Sequence, residues 1–153
     1  MIDHPLRVLI VEDEALLMMQ LEASIEAEGH DIVGTAMSAG EAIALARMVE
    51  PDVAFIDLQL LDGPTGIFVA RHLRGTEKTM FVFITANATR LPEDYEGAAG
   101  VVSKPFSQAG ITATIRYLHE CVRRPPPTGA APAELNVAPG FQQLLAARAG
   151  ARP

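Results

Sequence analysis

The stretch FIDLQLLDG, residues 55–63, contains a short apolar strand that runs directly into a carboxylate. Residues 53–56 (VAFI) are uniformly apolar, which is typical of a strand covered on both faces of a parallel sheet. Asp57 follows this run at once, and Gly63 and Pro64 then supply turn residues. In open parallel α/β sheets the functional groups gather beyond the carboxyl ends of the strands. Asp57 is therefore the first candidate site residue.

Similar apolar runs recur on both sides of this stretch. Four more strands are predicted from runs of β-branched and aromatic residues at 6–11, 32–35, 80–84 and 100–102. Apolar residues three and four apart predict amphipathic helices at 14–28, 39–49, 66–74 and 107–122. Residues 86–98 are the weakest helical stretch, because Pro92 and Gly97 interrupt them. This alternation predicts an α/β fold, a doubly wound five-stranded parallel sheet with helices on both faces.

The predicted α/β domain takes up residues 1–123, and residues 124–153 have a different composition. The stretch PPPTGAAPAELNVAPG, residues 125–140, is rich in proline and alanine and is interpreted as an extended linker. The following FQQLLAARA predicts a short helix that needs a docking surface to be stable. We expect no output domain here. The helix is open to three roles: partner binding, docking on the chain's own sheet, or a disordered end.

Composition and charge exclude several classes of protein. The net charge of −7 includes three Arg against Glu134 in residues 124–153, so residues 1–123 carry nine net negative charges. An acidic body of this kind argues against nucleic-acid binding. No apolar stretch approaches the roughly 20 residues of a membrane span. Cys121 is the only cysteine, so no internal disulfide forms, and we expect a cytoplasmic protein.

Charged and polar residues follow the predicted strands at the same edge of the sheet. They are Glu12 and Asp13 after the first strand, Asp57 after the third, Thr85 at the fourth and Lys104 after the fifth. Crowded carboxylates repel unless a cation offsets them, and oxygen ligands suit Mg²⁺. We therefore predict a Mg²⁺ site at which Asp57 attacks phosphorus. Lys104 would pair with the phosphoryl oxygens and Thr85 would donate a hydrogen bond to them.

Four motifs give these residues a family resemblance. They are LIVED at 9–13, FIDLQLLDG at 55–63, FITA at 83–86 and SKPF at 103–106. In this order and approximate spacing, they make residues 6–123 resemble the receiver domains of response regulators. The chain is most similar to the chemotaxis-type members that stand alone as single domains.

The resemblance implies a role for each motif residue. Asp57 would be the phosphoacceptor, Thr85 the switch hydroxyl and Lys104 the conserved-type lysine of the family. The Mg²⁺ ligands would be Asp13, Asp57 and the backbone carbonyl of Gln59, with Glu12 acting through water. The family also implies a cis peptide bond before Pro105, for which proline is the ordinary requirement.

The resemblance also implies function and partners. A sensor histidine kinase would phosphorylate Asp57, and the protein would then signal to a downstream target or act as a phosphate sink through protein contacts. It would be a signalling protein rather than an enzyme, at most dephosphorylating itself. Nucleic acid and membrane are not expected as partners, and the oligomeric state stays open.

Two features depart from the family pattern. The family commonly has a switch aromatic three residues before the lysine, but Val101 occupies that position. The interval from Thr85 to Lys104 is also short for the family, and it falls where the fourth helix is expected. The usual coupling between hydroxyl and aromatic therefore cannot operate, and we expect an unusual output surface around Arg90 and Tyr95.

Three alternatives remain beside this interpretation. A haloacid-dehalogenase-like phosphohydrolase also uses an aspartate and Mg²⁺, but it needs a second aspartate where Gln59 stands. A flavodoxin-like flavin binder needs a phosphate-cradling first loop, whereas Glu12, Asp13 and Glu14 repel phosphate. A degenerate receiver that only binds partners is expected to lack Asp57, Asp13 or Lys104.

Overall fold

The computed structural model describes residues 2–150 and confirms the predicted α/β fold. Its strands are Arg7–Val11 (β1), Asp31–Ala36 (β2), Val53–Ile56 (β3), Met80–Thr85 (β4), Gly100–Ser103 (β5) and Leu135–Val137 (β6). Their order across the sheet is β2-β1-β3-β4-β5-β6, and β1 to β5 run parallel. The winding reverses between β1 and β3, which is where sheets of this kind place their functional groups.

Five α-helices accompany the strands. They are Ala15–Ala27 (α1), Ala39–Val49 (α2), Gly66–Thr76 (α3), Gln108–Arg123 (α4) and Phe141–Gly150 (α5). The first four begin and end close to the predicted residues. Ser38 and Ser107 fix two of the starts, because each side chain accepts a hydrogen bond from the backbone N–H three residues further on. No helix within residues 2–150 is long and apolar enough to cross a bilayer.

An apolar layer lies on each face of the sheet. Val8 and Ile10 of β1 belong to the layer that contains α1 and α4, whereas Leu9 and Val11 belong to the layer of α2 and α3. This division follows from the strand itself, in which successive side chains point to opposite faces. Burial on both faces explains why the strands are apolar throughout.

The segment between β4 and β5 contains no α-helix. It has only two short 3₁₀ turns, Ala88–Arg90 and Tyr95–Gly97. Pro92 lies between them and has no N–H to donate. All three residues of the second turn have positive φ, which an α-helix does not tolerate. The interruption indicated by Pro92 and Gly97 in the sequence is thus a complete loss of the helix.

The sheet has one strand more than the five predicted. β6 arises from the stretch that was interpreted as an extended linker, and it pairs antiparallel with β5. Leu135 and Ala138 are buried there, and α5 buries Phe141 and Leu145 in the α1 and α4 layer. A run of three residues among prolines is too short to predict a strand from its pattern.

Candidate functional site

The parallel register brings the candidate residues to one edge of the sheet. Val11, the last residue of β1, pairs with Ile56, the last residue of β3, so Glu12 and Asp57 leave the sheet side by side. Thr85 pairs with Ser103 in the same way, which places Lys104 one residue beyond Thr85. The strand pairing alone therefore creates the cluster that the strand ends predicted.

Four carboxylates meet at this edge. Oxygen atoms of Glu12, Asp13, Glu14 and Asp57 all lie within 4.8 Å of one another. Glu12 is only 1% exposed and Asp57 5% exposed, whereas Asp13 is partly exposed. Such close acidic groups cannot all be ionised without a compensating cation.

Lys104 supplies part of that compensation. Its Nζ donates a hydrogen bond to Asp57 Oδ2 at 2.7 Å and lies 2.9 Å from Glu12 Oε1 and 3.4 Å from Glu14 Oε1. The 2.9 Å contact is an ion pair, and the buried Glu12 Oε1 has no partner beyond this lysine that meets hydrogen-bond geometry. The peptide bond between Lys104 and Pro105 is cis, as the resemblance implied.

The pKa values in the cluster show how incomplete the compensation is. Burial raises the pKa of Glu12 to about 7, and the contacts with Lys104 and the Glu14 backbone N–H counter this only in part. Burial alone would lower the pKa of Lys104, but its contacts with Asp57 and Glu12 outweigh burial, so its pKa is raised. The ammonium therefore stays charged at neutral pH.

We expect Glu12 to make the metal-free protein less stable as the pH rises. Folding raises the pKa of Glu12 from 4.5 to about 7. The bound proton therefore stabilises the folded state fully below pH 4.5, and this stabilisation is lost as the pH rises through about 7. The loss is at most about 3 kcal/mol. Urea denaturation of wild type and Glu12→Gln in chelator would measure it. Equal pH slopes for the two proteins between about pH 5 and about pH 8 would contradict the expectation.

The residues present fit a bound Mg²⁺. With all four carboxylates ionised and Lys104 protonated, the cluster carries three net negative charges, and all its ligand atoms are oxygens. Mg²⁺ prefers such hard oxygen ligands and keeps several of its waters. The buried Glu12 Oε1 has only the Lys104 ammonium beside it, so it can also accept a hydrogen bond from a metal-bound water.

Thr85 and Gln59 lie in the same pocket as Asp57. This pocket has a volume of about 620 Å³, and Lys104 also lines it. Thr85 is buried, and its Oγ1 accepts a hydrogen bond from the Asn87 backbone N–H at 3.1 Å. The Gln59 backbone N–H donates to Asp57 Oδ1 at 3.3 Å. The structure thus brings both residues to the candidate site.

Three residues of the site were not among the predicted ones. Glu14 joins the acidic cluster, and its position directly after Glu12 and Asp13 was the available signal. Arg71 of α3 lines the pocket, with Nε 3.1 Å from Glu96 Oε1, and no local pattern indicated it. A Cβ on Gly66 would collide with the carbonyl oxygen of Asp57, so glycine is required where α3 approaches the phosphoacceptor candidate.

The surroundings of Val101 bear on the missing switch aromatic. Val101 is buried in the layer of α2 and α3, and Tyr95 packs against both layers from the segment that replaces the fourth helix. Tyr95, the only aromatic residue in this segment, thus lies in the connection between β4 and β5 and not in β5 itself. An unusual surface around Arg90 and Tyr95 stays a prediction, although Arg90 does line the pocket.

Comparisons with known proteins agree with this geometry. The phyllosphere-induced regulator PhyR of Methylorubrum extorquens is 36% identical over 115 residues, which are 74% of this chain and 43% of that protein. The transcriptional regulatory protein PdtaR of Mycobacterium tuberculosis is 38% identical over 106 residues, 67% of this chain and 51% of PdtaR. The chain thus spans about half the length of these relatives, or less.

A solved structure and a family comparison extend this likeness. The solution NMR structure of the PhyR response regulator REC domain from Erythrobacter litoralis superposes with a TM-score of 0.71 at 34% identity. It covers 82% of this chain and 97% of that one. Residues 8–116 match the family described as the response regulator receiver domain. On this match, and with the carboxylates and lysine at the strand ends, the chain belongs to the response regulator receiver family.

Proposed function

We propose that this receiver domain accepts a phosphoryl group from a sensor histidine kinase onto Asp57, with Mg²⁺ bound beside it. The observation that carries the proposal is the contact of Lys104 with Asp57 at 2.7 Å inside a cluster of four carboxylates. A buried ion pair of this kind is weak evidence for a stabilising role. Its position at the open pocket favours a role in chemistry instead.

The chemistry is a transfer between two nucleophiles. A carboxylate oxygen of Asp57 attacks the phosphorus of a phosphohistidine, the P–N bond breaks, and the imidazole leaves and takes up a proton. The product is an acyl phosphate on Asp57. Bound Mg²⁺ would offset the charge that develops on the phosphoryl oxygens, and Asp13, Asp57 and the Gln59 carbonyl would hold it, with Glu12 acting through water.

The same residues would respond to the new group. The acyl phosphate carries a charge near −2 where the Asp57 carboxylate carried −1, in a pocket in which Lys104 already lies against Asp57. Lys104 would then pair with the phosphoryl oxygens, and the Thr85 hydroxyl would donate to them. Thr85 Oγ1 also accepts from the Asn87 N–H, so a movement of Thr85 would pull on the connection between β4 and β5. We propose this connection as the switch element in place of an aromatic at 101.

Output would pass through protein contacts, either to a downstream target or by draining phosphate from the kinase. Residues 135–145 pack on the receiver core instead of forming a core of their own. Within residues 2–150, this stretch therefore belongs to the receiver fold and does not form a second core. A phosphohydrolase of the haloacid-dehalogenase type is disfavoured, because Gln59 lines the pocket where the second aspartate is needed.

Replacing Asp13 tests the proposed metal site. We expect Asp13→Asn to raise the Mg²⁺ concentration needed for half-maximal phosphoryl uptake at least about tenfold, since it removes a charged oxygen ligand. Uptake from a small phosphodonor would be read by intact mass across a Mg²⁺ titration. Asp31→Asn is the matched control, because Asp31 is exposed at the opposite end of the sheet. Identical titrations for Asp13→Asn and wild type would remove Asp13 from the site.

A further inference from the structure

One edge of β5 pairs with β4, and the chain's own residues 134–150, here called the tail, cover the other edge. Within the tail, Val137 pairs with Gly100 and Leu135 with Val102, and the Ala138 N–H donates to the Ala99 carbonyl at 2.9 Å. Exposed strand edges are templates for pairing with other chains. The tail thus occupies a surface that is suited to strand addition.

The tail is also held by apolar side chains. Leu135, Phe141 and Leu145 are each less than 5% exposed, and they belong to the same apolar layer as Val102 and Leu118. Burying these three large apolar side chains stabilises the docked tail. The surface beneath therefore selects an extended segment with one apolar residue, followed by a helical turn with apolar residues four apart.

Two glycines show that the domain is shaped for this segment. A Cβ on Gly100 would lie 2.5 Å from the Asn136 carbonyl oxygen and 2.9 Å from Leu135 Cδ1. A Cβ on Gly110, in the first turn of α4, would lie 2.6 Å from Glu134 Cγ. At both positions the nearest atom that a side chain would meet belongs to the tail.

The surface under the tail is joined to the phosphoacceptor site by a short piece of chain. Gly100 and Gly110 mark the two ends of this piece, and both touch the tail. Lys104 lies between them and touches Asp57 at 2.7 Å. A backbone shift at Lys104 on phosphorylation would therefore reach the residues on which the tail rests.

We propose that the edge of β5 with the start of α4 is a partner-docking surface, and that the tail is its displaceable occupant. The partner presents an extended apolar segment and a helical turn of the tail's own chemistry, which adds to β5 as a strand. Phosphorylation of Asp57 weakens the tail's hold and admits the partner. This last step rests on the function proposed above, whereas the docking surface does not.

The test uses the full chain and a fluorescent synthetic peptide with the sequence of residues 131–150. Asn136→Pro loosens the tail without removing a buried side chain, because Asn136 is exposed and proline cannot donate to the strand pairing. Phe141→Ala with Leu145→Ala loosens it a second way. Gly100→Ala blocks the surface itself. Gly129→Ala is the control, since a Cβ there meets nothing within 4 Å.

We expect the peptide to bind Asn136→Pro at least about tenfold tighter than unphosphorylated wild type, and Gly100→Ala in the same background to abolish the gain. Wild type incubated with phosphodonor and Mg²⁺ should show a similar increase in affinity for the peptide, while Asp57→Asn should show none. No gain in either loosened variant overturns the docking surface. A gain there, with none in wild type that carries the phosphoryl adduct, overturns the coupling.

The same experiments distinguish a failure of the proposed phosphorylation from a failure of the docking surface. If no adduct forms on wild type, the proposed function fails, but the loosened variants still decide the docking surface without phosphorylation. Light scattering on Asn136→Pro distinguishes a partner from a second copy of this chain. A monomer agrees with the proposal, and a dimer that Gly100→Ala dissociates would overturn it in favour of tail exchange between copies.

Discussion

Replacement of Lys104 by alanine is expected to destabilise the metal-free protein by about 3 kcal/mol at neutral pH, because breaking a buried ion pair leaves uncompensated charge. Lys104 is the only cation in contact with Glu12 and Asp57 among residues 2–150, and both carboxylates are buried. Urea denaturation in chelator measures the change. Mg²⁺ should restore more stability to this variant than to wild type, since the cation takes over the compensation.

The matched control for this variant is another lysine in an ion pair. Lys78 lies 3.3 Å from Glu50, but both side chains are more than half exposed. Surface pairs of this kind contribute at most about 1 kcal/mol, so Lys78→Ala should leave stability nearly unchanged. If Lys104→Ala and Lys78→Ala had equal unfolding free energies in chelator, the site would not be strained by its charges, and the account of Lys104 would be wrong.

Replacement of Gly66 by alanine is expected to cost about 2–4 kcal/mol, because the new methyl group meets backbone that cannot step aside. The Cβ would collide with the Asp57 carbonyl oxygen and lie 2.8 Å from Leu58 Cα. The chain must then move α3 or the backbone of Asp57. Phosphoryl uptake should fall together with stability, and both are measured on the same preparation by intact mass and by urea denaturation.

Gly75 provides the control in the same helix. It lies near the end of α3, and a Cβ there meets nothing within 4 Å. Gly75→Ala should be neutral or stabilise the protein by up to about 1 kcal/mol, as alanine favours helix over glycine. A Gly66→Ala protein that matches Gly75→Ala in both stability and uptake would show that the close approach of α3 does not position Asp57.

The sequence predicted where the candidate residues lie, because the position of each one follows from the parallel strand that precedes it. Once residues 6–11, 53–56, 80–84 and 100–102 are identified as parallel strands, their carboxyl ends must meet at one edge. Glu12, Asp57, Thr85 and Lys104 follow directly, and the structure brings them together. Where a residue's place depends only on the strand it follows, local pattern is sufficient.

The features that the sequence did not predict depend on contacts between distant segments. β6 is three residues long, and its signal lies in Gly100 and Gly110, which read as ordinary glycines until the tail is seen against them. Arg71 enters the pocket because α3 is held close by Gly66. Pro92 and Gly97 indicated that the helical stretch at 86–98 is interrupted, whereas nothing in the sequence indicated the positive φ values of Tyr95 and Glu96.

Phosphorylation of Asp57 is tested by measuring intact mass after incubation with a small phosphodonor, with and without Mg²⁺, for wild type and Asp57→Asn. We expect one phosphoryl adduct on wild type, dependent on Mg²⁺, and none on Asp57→Asn. An adduct of equal yield on the variant would place the phosphoacceptor elsewhere. A folded wild type that takes no adduct from the phosphodonor or from a panel of histidine kinases would contradict phosphotransfer and favour a receiver that only binds partners.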